Sequence, residues 1–435
     1  MTQATRWFSI IFYMPFLVGC SATSYWYSVH ADGSNSDYSP VGGPRNITLA
    51  WKREFNGTIN LGATNDAFGK VFVTTSGDGC HLYALDHLTG ETIWCTDEVN
   101  KYAVASSALV DDNGRVYIAD DSHMFAFDNG GHLIWKTAIA GFPLSAQFTR
   151  SGRLIFITHI GVIYVLNRGT GVPCVPPYEL SEGAIATRSA FVPVECMRGT
   201  AGCPCANTLA IDQRSDTFYF TYWEPGTTQA DLLAIQFNGT GFSRLWRNST
   251  LPGGSASSPD ISSNGKRIYV NDNVGALHAI DATTGEEIWS YNTSYSTGGS
   301  QSTSPSGLIV PAGGSKATLL CIRDAGDSAQ LMWRNEGMIN RGIATQAAGG
   351  LTYATIADDE KGRPYNYIAV IETKSGQLID REDLPGATFF TVGTTVGPEG
   401  NIYVPSFNGN LFAFKAENKV SKTVNISKQP TLKKP

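Results

Sequence analysis

Short apolar strands, each ending in a polar residue, recur along most of this chain. The stretch LYALDHLTGETIW at Leu82–Trp94 returns as LHAIDATTGEEIW at Leu277–Trp289. Eight strands of this kind end at the following residues: Asp86, Asp128, Asn167, Gln236, Asp281, Arg323, Glu372 and Lys415. Successive copies lie 39 to 49 residues apart, except for 69 residues between the third and the fourth. Such a repeat predicts an array of similar structural units.

Two further strands flank each copy. A strand rich in β-branched and aromatic residues precedes it, beginning at Val71, Val116, Leu154, Phe218, Ile268, Leu308, Thr352 and Ile402. A tight turn follows, and the next strand often reaches a tryptophan: Trp94, Trp135, Trp246, Trp289 and Trp333. This composition indicates antiparallel strands, and a large ring at a constant place is suited to stacking neighbouring sheets. A period of this length with about four strands predicts a propeller blade.

The two ends of the repeat array complement each other. The eighth copy ends near Lys415 without an outer strand, whereas Ile47–Phe55 has the features of an outer strand, with Trp51, and no core strand before it. We therefore predict an all-β, eight-bladed β-propeller of four-stranded antiparallel blades whose last blade is closed by the N-terminal strand. Closure removes the open edge of the array. An open solenoid is the alternative, and it would need capping ends.

The repeat limits divide the rest of the chain. We predict a single propeller at residues 46–416 with an insertion at 176–206, a linker at 23–45 and a disordered basic tail at 417–435. A signal peptide is predicted at 1–22, because an apolar run of signal-peptide length is followed by small residues. This predicts a secreted or extracytoplasmic protein.

The N-terminal run has two other interpretations. It is an uncleaved anchor if no cleavage occurs near Ala22. The sequence Leu17–Cys20 also resembles a bacterial lipobox, in which Cys20 becomes a lipidated N-terminus. Sequons for N-glycosylation, which favour a glycosylating eukaryote, occur at Asn46, Asn56, Asn238, Asn248, Asn292 and Asn425.

The net charge of the chain argues against two classes of binding partner. A net charge of −6 and a pI near 5.7 argue against a nucleic-acid surface or an anionic-membrane surface, which need clustered Lys and Arg. We expect a monomer that contacts no nucleic acid and that reaches a membrane only through an uncleaved or lipidated N-terminus.

The repeat resembles that of a known family. The spacing of Ala84, Asp86, Thr89, Gly90 and Trp94, repeated from Ala279 to Trp289, is similar to the tryptophan-docking repeat of quinoprotein-type, or PQQ-repeat, eight-bladed propellers. The resemblance implies one of two functions. Some members of the family are dehydrogenases that hold pyrroloquinoline quinone and calcium over the central channel and oxidise alcohols or sugars. Another is a propeller lipoprotein of the bacterial outer-membrane assembly machinery, which serves as a scaffold without a cofactor.

The predicted inner strands carry few groups that suit a calcium-held quinone. They read GATND, VASSA, LSAQF, SASSP, SQSTS, IATQA and VGTTV, so they are rich in hydroxyl and amide groups and poor in the carboxylates that calcium prefers. Charged residues near the predicted channel mouth are Arg341, our first candidate for contacting a cofactor or anionic ligand, and Lys101. Their neighbours Asn340 and Tyr102 complete the candidate cofactor-binding set.

The cysteines suit an oxidising compartment. Cys80 and Cys95 flank one hairpin and are predicted to form a disulfide. Cys174, Cys196, Cys203 and Cys205 lie in or beside the insertion and are predicted to cross-link it, whereas Cys321 is expected to be a buried thiol. A long cross-linked loop is a candidate lid or partner-binding element.

Two hypotheses remain. The first, which we favour, is an extracytoplasmic module without an evident catalytic site that binds an unknown protein or a small-molecule ligand through the face bearing the insertion. The second is a dehydrogenase that depends on pyrroloquinoline quinone and calcium and oxidises an alcohol or sugar. The inner strands' lack of carboxylates favours the first.

Overall fold

The computed structural model of the chain describes residues 25–187, 203–297, 299–358, 365–387 and 390–417. These residues form an all-β protein built from six four-stranded antiparallel sheets and one nine-stranded sheet. They include a short 3-10 helix at Lys101–Ala105 and a short helix α1 at Ala184–Thr187. Within these ranges no helix has the length and apolarity to cross a membrane.

The first two strands belong to sheets that form much later in the chain. They are β1 at Tyr38–Gly42 and β2 at Ile47–Glu54. Five four-stranded units then follow in chain order. The first unit contains β3 at Thr64–Asn65, β4 at Lys70–Thr74, β5 at Leu82–Asp86 and β6 at Thr92–Thr96. The second contains β7 at Leu109–Val110, β8 at Val116–Ala119, β9 at His123–Phe127 and β10 at Leu133–Ala138.

The next three units have the same order. The third contains β11 at Gln147–Phe148, β12 at Leu154–Ile157, β13 at Val162–Leu166 and β14 at Tyr178–Glu179. The fourth contains β15 at Ala210–Asp212, β16 at Thr217–Tyr222, β17 at Ala230–Phe237 and β18 at Phe242–Leu251. The fifth contains β19 at Asp260–Ile261, β20 at Arg267–Asn271, β21 at Ala276–Asp281 and β22 at Glu287–Asn292.

A nine-stranded sheet contains the next two units together with β1. The sixth unit consists of β23 at Ser302–Thr303, β24 at Leu308–Val310, β25 at Thr318–Asp324 and β26 at Ala329–Asn340. The seventh consists of β27 at Thr345–Ala348, β28 at Leu351–Asp358, β29 at Tyr365–Glu372 and β30 at Leu378–Asp383. The long strand β26 reaches β28 and joins the two units, and β1 pairs with β27 in parallel.

The last sheet contains strands from both ends of the described chain. It consists of β31 at Thr395–Val396, β32 at Ile402–Ser406, β33 at Asn410–Ala416 and β2. In the antiparallel register of β2 and β33, Lys52 pairs with Phe412. The predicted pairing of Ile47–Phe55 with the segment around Phe412 is therefore confirmed.

Tryptophans on the outer strands dock on the following four-stranded unit. The Trp94 indole N–H donates to the Asn129 carbonyl at 3.1 Å, and its ring lies against Gly131, where an added Cβ would approach within 2.6 Å. Gly131 has a φ of 85°, a backbone conformation that glycine adopts without strain. The same ring-on-glycine arrangement occurs in four further pairs: Trp51 with Gly90, Trp135 with Gly171, Trp246 with Gly285, and Trp333 with Gly376. The repeated turn sequence therefore makes a contact between sheets.

The segment predicted as a linker is folded, so that boundary is corrected. Residues 25–42, here called the central segment, run over the first strands of successive units. Backbone N–H groups of these strands donate to its carbonyls: Asn65 to Trp26, Val110 to Tyr27, Ile211 to Gly33, Ile261 to Ser34, Thr303 to Ser36 and Gln346 to Asp37. Several of its side chains are buried, including Trp26 and Tyr27. The central segment satisfies strand edges that would otherwise lack partners, which is why it is ordered.

The boundary of the insertion is also corrected. Residues 176–206 were predicted to lie outside the sheets, yet Tyr178 and Glu179 form the outer strand β14 of the third unit. This strand has two residues and no tryptophan, so its sequence carries no recognisable strand signal. Residues 188–202 of the insertion and the predicted tail beyond residue 417 lie outside the described residues, as does the predicted signal peptide.

Candidate functional site

A cavity of about 480 Å³ lies where the central segment meets the loops that lead into the first strands of several units. Trp26, Val29, His30 and Asp37 of the central segment line it on one side. Loop residues from the first four units and from the last three complete the wall. The site is assembled from sequence positions far apart because each unit contributes only a short loop to it.

Most of the cavity surface is apolar. Leu61, Leu144 and Ile343 contribute aliphatic side chains to the wall. Phe390 and Phe407 also line the cavity while remaining 48% and 37% exposed, so they lie at its opening. A concave apolar site with a few polar groups is typical of ligand-binding pockets.

Arg341, the first candidate from the sequence, lines the cavity. Its side chain is buried, and Nη1 donates to the Ser315 carbonyl at 2.8 Å. Its backbone N–H donates to Thr355 O in β28 and its carbonyl accepts from the Thr391 N–H, which fixes the residue between this strand and the loop before β31. Asn340 is buried beside it, and its Oδ1 accepts from the Gly342 N–H at 3.3 Å. Asn340 therefore orders the loop and does not line the cavity.

Lys101 and Tyr102 lie elsewhere. Both are exposed on the 3-10 helix, where the Lys101 ammonium is 5.5 Å from the centroid of the Tyr102 ring. Ala105 is the residue of this helix that lines the cavity. The structure thus brings Arg341 to the site and leaves Lys101 and Tyr102 on the surface.

A hydrogen-bonded chain runs from Asp37 and His30, in the cavity wall, to the buried Ser258. His30 Nδ1 is 2.9 Å from Asp37 Oδ2, and His30 Nε2 is 3.1 Å from Ser258 Oγ. Burial raises the pKa of the Asp37 carboxyl although His30 opposes this effect. The order of groups is that of an acyl-transfer relay, but Ser258 is completely buried, so no substrate carbonyl reaches its hydroxyl. The chain instead fixes the central segment to the fifth unit.

This chain was not predicted, because residues 23–45 were interpreted as a linker. The aromatic cluster at Tyr25, Trp26 and Tyr27, which is unusual in a solvated linker, was the available signal. No pattern in the sequence pairs His30 with Ser258, more than two hundred residues away.

The residues present do not fit a calcium-held quinone. Asp37 is the carboxylate in the described cavity wall, and its Oδ2 already contacts His30. Throughout the described ranges, no group of three or more His, Cys, Asp or Glu side chains is placed to hold a metal ion. Calcium takes six to eight oxygen ligands, usually with several carboxylates.

The cysteines only partly follow the prediction. Cys80 and Cys95 form the predicted disulfide, and Cys203 is also disulfide-bonded, whereas Cys196 lies outside the described residues. Cys174 and Cys205 carry free thiols, so their predicted participation in cross-links is wrong. Both pack into the apolar cluster between the third and fourth units, where burial raises the pKa of the Cys205 thiol. Cys321 is a buried free thiol, as predicted.

The sequons differ in accessibility. Asn56, Asn238 and Asn292 are exposed and Asn46 is half-buried. Asn248 is buried, and its Nδ2 donates to the Gly285 carbonyl at 2.7 Å, so the nitrogen that would carry a glycan is engaged. Asn425 lies outside the described residues.

Comparisons with known proteins agree with the repeat. A curated relative, protein Rv3035 of Mycobacterium tuberculosis, is 27% identical over 394 residues, which cover 89% of this chain and 95% of that protein. BamB from Moraxella catarrhalis has a TM-score of 0.60 at 16% identity and covers 86% of this chain and 98% of its own. The quinohemoprotein alcohol dehydrogenase from Comamonas testosteroni has a TM-score of 0.61 at 14% identity, and the match covers 92% of this chain and 82% of that protein. At these identities the two solved structures show the shared fold alone.

The family assignment rests on the repeats themselves. A protein-family model described as outer membrane protein assembly factor BamB matches residues 48–154, 78–174 and 235–431, which together span most of the chain. These ranges contain the tryptophan-docking turns that join neighbouring sheets. The chain therefore belongs to the PQQ-repeat propeller superfamily, in the family described as outer membrane protein assembly factor BamB.

Proposed function

We propose that this protein is an extracytoplasmic, eight-bladed PQQ-repeat propeller that binds a ligand or a partner protein through the cavity and its opening. Eight four-stranded units, the last completed by β2, support a closed ring of eight blades. The contacts of the central segment with successive first strands support its position in the channel of that ring.

The observation that carries the proposal is the cavity itself. Loops from seven units and the central segment converge on about 480 Å³ of mostly apolar space, open beside two partly exposed phenylalanines. Exposed aromatic side chains around a concave site are typical of binding surfaces. The carboxylate-poor wall favours binding over quinone chemistry, and the name of the family favours a role in protein assembly.

Two features support an extracytoplasmic location. The Cys80–Cys95 disulfide and the disulfide-bonded Cys203 suit an oxidising compartment. The apolar run at Trp7–Gly19 suits export. This proposal includes binding of a small molecule and binding of a partner protein.

The experiment places a photo-cross-linking amino acid at Phe407 in cells that make the protein. We expect a defined cross-linked product that disappears when Leu61→Trp fills the cavity. Leu88 is the matched control position, because it is 60% exposed and does not line the cavity. Identical products from both positions would contradict the proposal. So would saturable binding of pyrroloquinoline quinone with Ca²⁺ by the purified protein, accompanied by reduction of a dye.

A further inference from the structure

We propose that the cavity binds an uncharged amphiphile, a small molecule with an apolar chain and a neutral hydroxyl head. This inference rests on the proposed function, because it names the ligand class of the same site. Three observations carry it: the apolar part of the wall, the contacts that engage the charged side chains of the wall within the protein, and the neutral hydroxyls of two loops on its exposed side.

The apolar part of the wall suits a hydrocarbon chain. Trp26, Val29 and Leu144 line the cavity as buried residues, and the half-buried Leu61 and Ile343 extend this surface. The volume of about 480 Å³ lies within the range of small-molecule sites. Each methylene that leaves water for an apolar wall contributes to affinity, so two methylenes change the dissociation constant about tenfold.

The charged side chains of the wall are engaged within the protein. Among the described residues that line the cavity, those able to carry a charge are His30, Asp37 and Arg341. His30 and Asp37 form a pair, with 2.9 Å between Nδ1 and Oδ2. Arg341 is only 7% exposed, and its Nη1 donates to the Ser315 carbonyl at 2.8 Å. In the described part of the wall, every charged group therefore already contacts the protein.

This arrangement selects against ions. A carboxylate or an ammonium loses hydration when it enters an apolar cavity, and only an available opposite charge compensates for that loss. An alcohol loses much less, because one neutral hydrogen bond replaces the bond that its hydroxyl made with water. We therefore expect the cavity to prefer a neutral molecule to an anion or a cation of the same chain length.

Two loops of the sixth unit supply neutral polar groups for the head of the ligand. Ser296, before β23, and Ser315, between β24 and β25, line the cavity and are exposed. The two loops are in contact, because a Cβ added to Gly314 would lie 2.8 Å from the Ser296 carbonyl oxygen. Serine hydroxyls both donate and accept hydrogen bonds, so they suit a hydroxyl head while the chain lies against the apolar part of the wall.

Calorimetric titration of the purified protein at neutral pH with decanol, decanoate and decyltrimethylammonium tests the proposal. Each compound is kept below its solubility limit and its micellar concentration. We expect saturable binding of decanol at one site per chain, and binding of both ions that is weaker by about tenfold or more. Octanol, which is shorter by two methylenes, is expected to bind about tenfold more weakly than decanol.

Two variants locate the bound alcohol. Leu61→Trp fills the cavity and is expected to abolish decanol binding. Leu88→Trp is the matched control, because Leu88 is 60% exposed and does not line the cavity, and it is expected to leave the affinity unchanged. Circular dichroism of each variant distinguishes lost binding from lost folding. If Leu61→Trp is unfolded, Ile343→Trp fills the cavity from another part of the wall.

Three results would overturn the proposal. Decanoate or decyltrimethylammonium that binds as tightly as decanol would show that the cavity does not select against charge. Folded protein that does not bind decanol would exclude the ligand class, and an unchanged decanol affinity in folded Leu61→Trp would place the alcohol outside the cavity. The cross-link from Phe407 decides the proposed function separately, because it does not depend on which molecule is titrated.

Discussion

His30 Nδ1 lies 2.9 Å from Asp37 Oδ2, and both residues are buried in the wall of the cavity. The two residues belong to the central segment, and Ser258 on the other ring nitrogen belongs to the loop before β19. The contact between His30 and Asp37 joins two parts of the central segment, and the contact between His30 and Ser258 attaches the segment to the fifth unit. The wall of the candidate site therefore depends on a bond formed within the segment that sequence analysis treated as a linker.

Replacement of His30 is expected to destabilise the fold strongly. His30→Ala removes the partner of a buried carboxylate, and breaking a buried pair in this way costs about 3 kcal/mol. Urea denaturation measures the effect. His132→Ala is the matched control, because His132 lies 3.1 Å from Asp128 in an exposed pair, and exposed pairs contribute little. Equal destabilisation by the two variants would show that burial of the His30–Asp37 pair does not increase its contribution to the free energy of unfolding.

The tryptophan-docking contact gives a second prediction. Gly131→Ala places a Cβ against the Trp94 ring at a φ of 85°, so both the backbone and the contact between sheets are strained. We expect a loss of about 2 kcal/mol in the free energy of unfolding. Trp94→Phe is expected to cost about 1 kcal/mol, because the indole N–H bond to Asn129 O is lost while an aromatic ring remains.

The glycine at position 183 serves as the control for this comparison. Gly183 also has a positive φ, of 79°, but an added Cβ there meets no atom of a described residue within 4 Å. Gly183→Ala therefore introduces backbone strain without a contact to a described tryptophan ring. If thermal denaturation shows the same loss for Gly131→Ala and Gly183→Ala, the Trp94 contact contributes nothing.

The repeat predicted most of the sheets because its information is local. Each apolar strand, glycine turn and tryptophan lies within one period, and the ring of Trp94 meets Gly131 in the next copy. The pairing of β2 with β33 was also predictable, because the last repeat has no outer strand of its own and the N-terminal strand has no core strand before it. The hydrogen bonds of the central segment were not predictable from the sequence. The segment is irregular and accepts hydrogen bonds from first strands of different units, so its residues show no periodic pattern. Arg341 was placed near the site from its position before a first strand, whereas Lys101 occupies a comparable position and faces solvent.

Loss of the Cys80–Cys95 disulfide gives a third prediction. The two residues are separated by 15 positions and join the ends of a hairpin in the first unit. Closing a loop of this length stabilises the folded state by about 3 kcal/mol in the chain-entropy account. The double variant Cys80→Ser/Cys95→Ser is expected to unfold at correspondingly lower urea concentration. Cys174→Ser, at a free thiol, is the control. Addition of a reductant to the wild type should lower the urea midpoint at least as far as the double variant does, because it also reduces the disulfide of Cys203.

The His278 cluster gives a stability that depends on pH. His278 Nε2 is 3.0 Å from Asp272 Oδ2 and Nδ1 is 2.6 Å from Glu287 Oε2. Burial alone would lower the pKa of His278, but the hydrogen bonds to the two carboxylates outweigh it and raise the pKa above its usual value. For Asp272, burial opposes the shift, while the bonds from His278 and from backbone N–H groups lower the pKa.

The sign of the effect follows from these two directions. A raised histidine pKa stabilises the folded state fully below the unfolded value, about 6.5, and this stabilisation is lost as pH rises through the folded pKa. A lowered aspartate pKa stabilises the folded state fully above the unfolded value, about 3.9. This stabilisation is lost as pH falls through the folded pKa. The cluster therefore contributes most between about pH 4 and pH 6.5. His278→Gln is expected to cost about 2 kcal/mol at pH 5, the scale of hydrogen bonds to charged groups, and clearly less at pH 9. Urea denaturation of wild type, His278→Gln and the exposed control His132→Gln at both pH values measures this cost. A cost for His278→Gln that does not change with pH would show that His278 is neutral in the folded protein at both pH values.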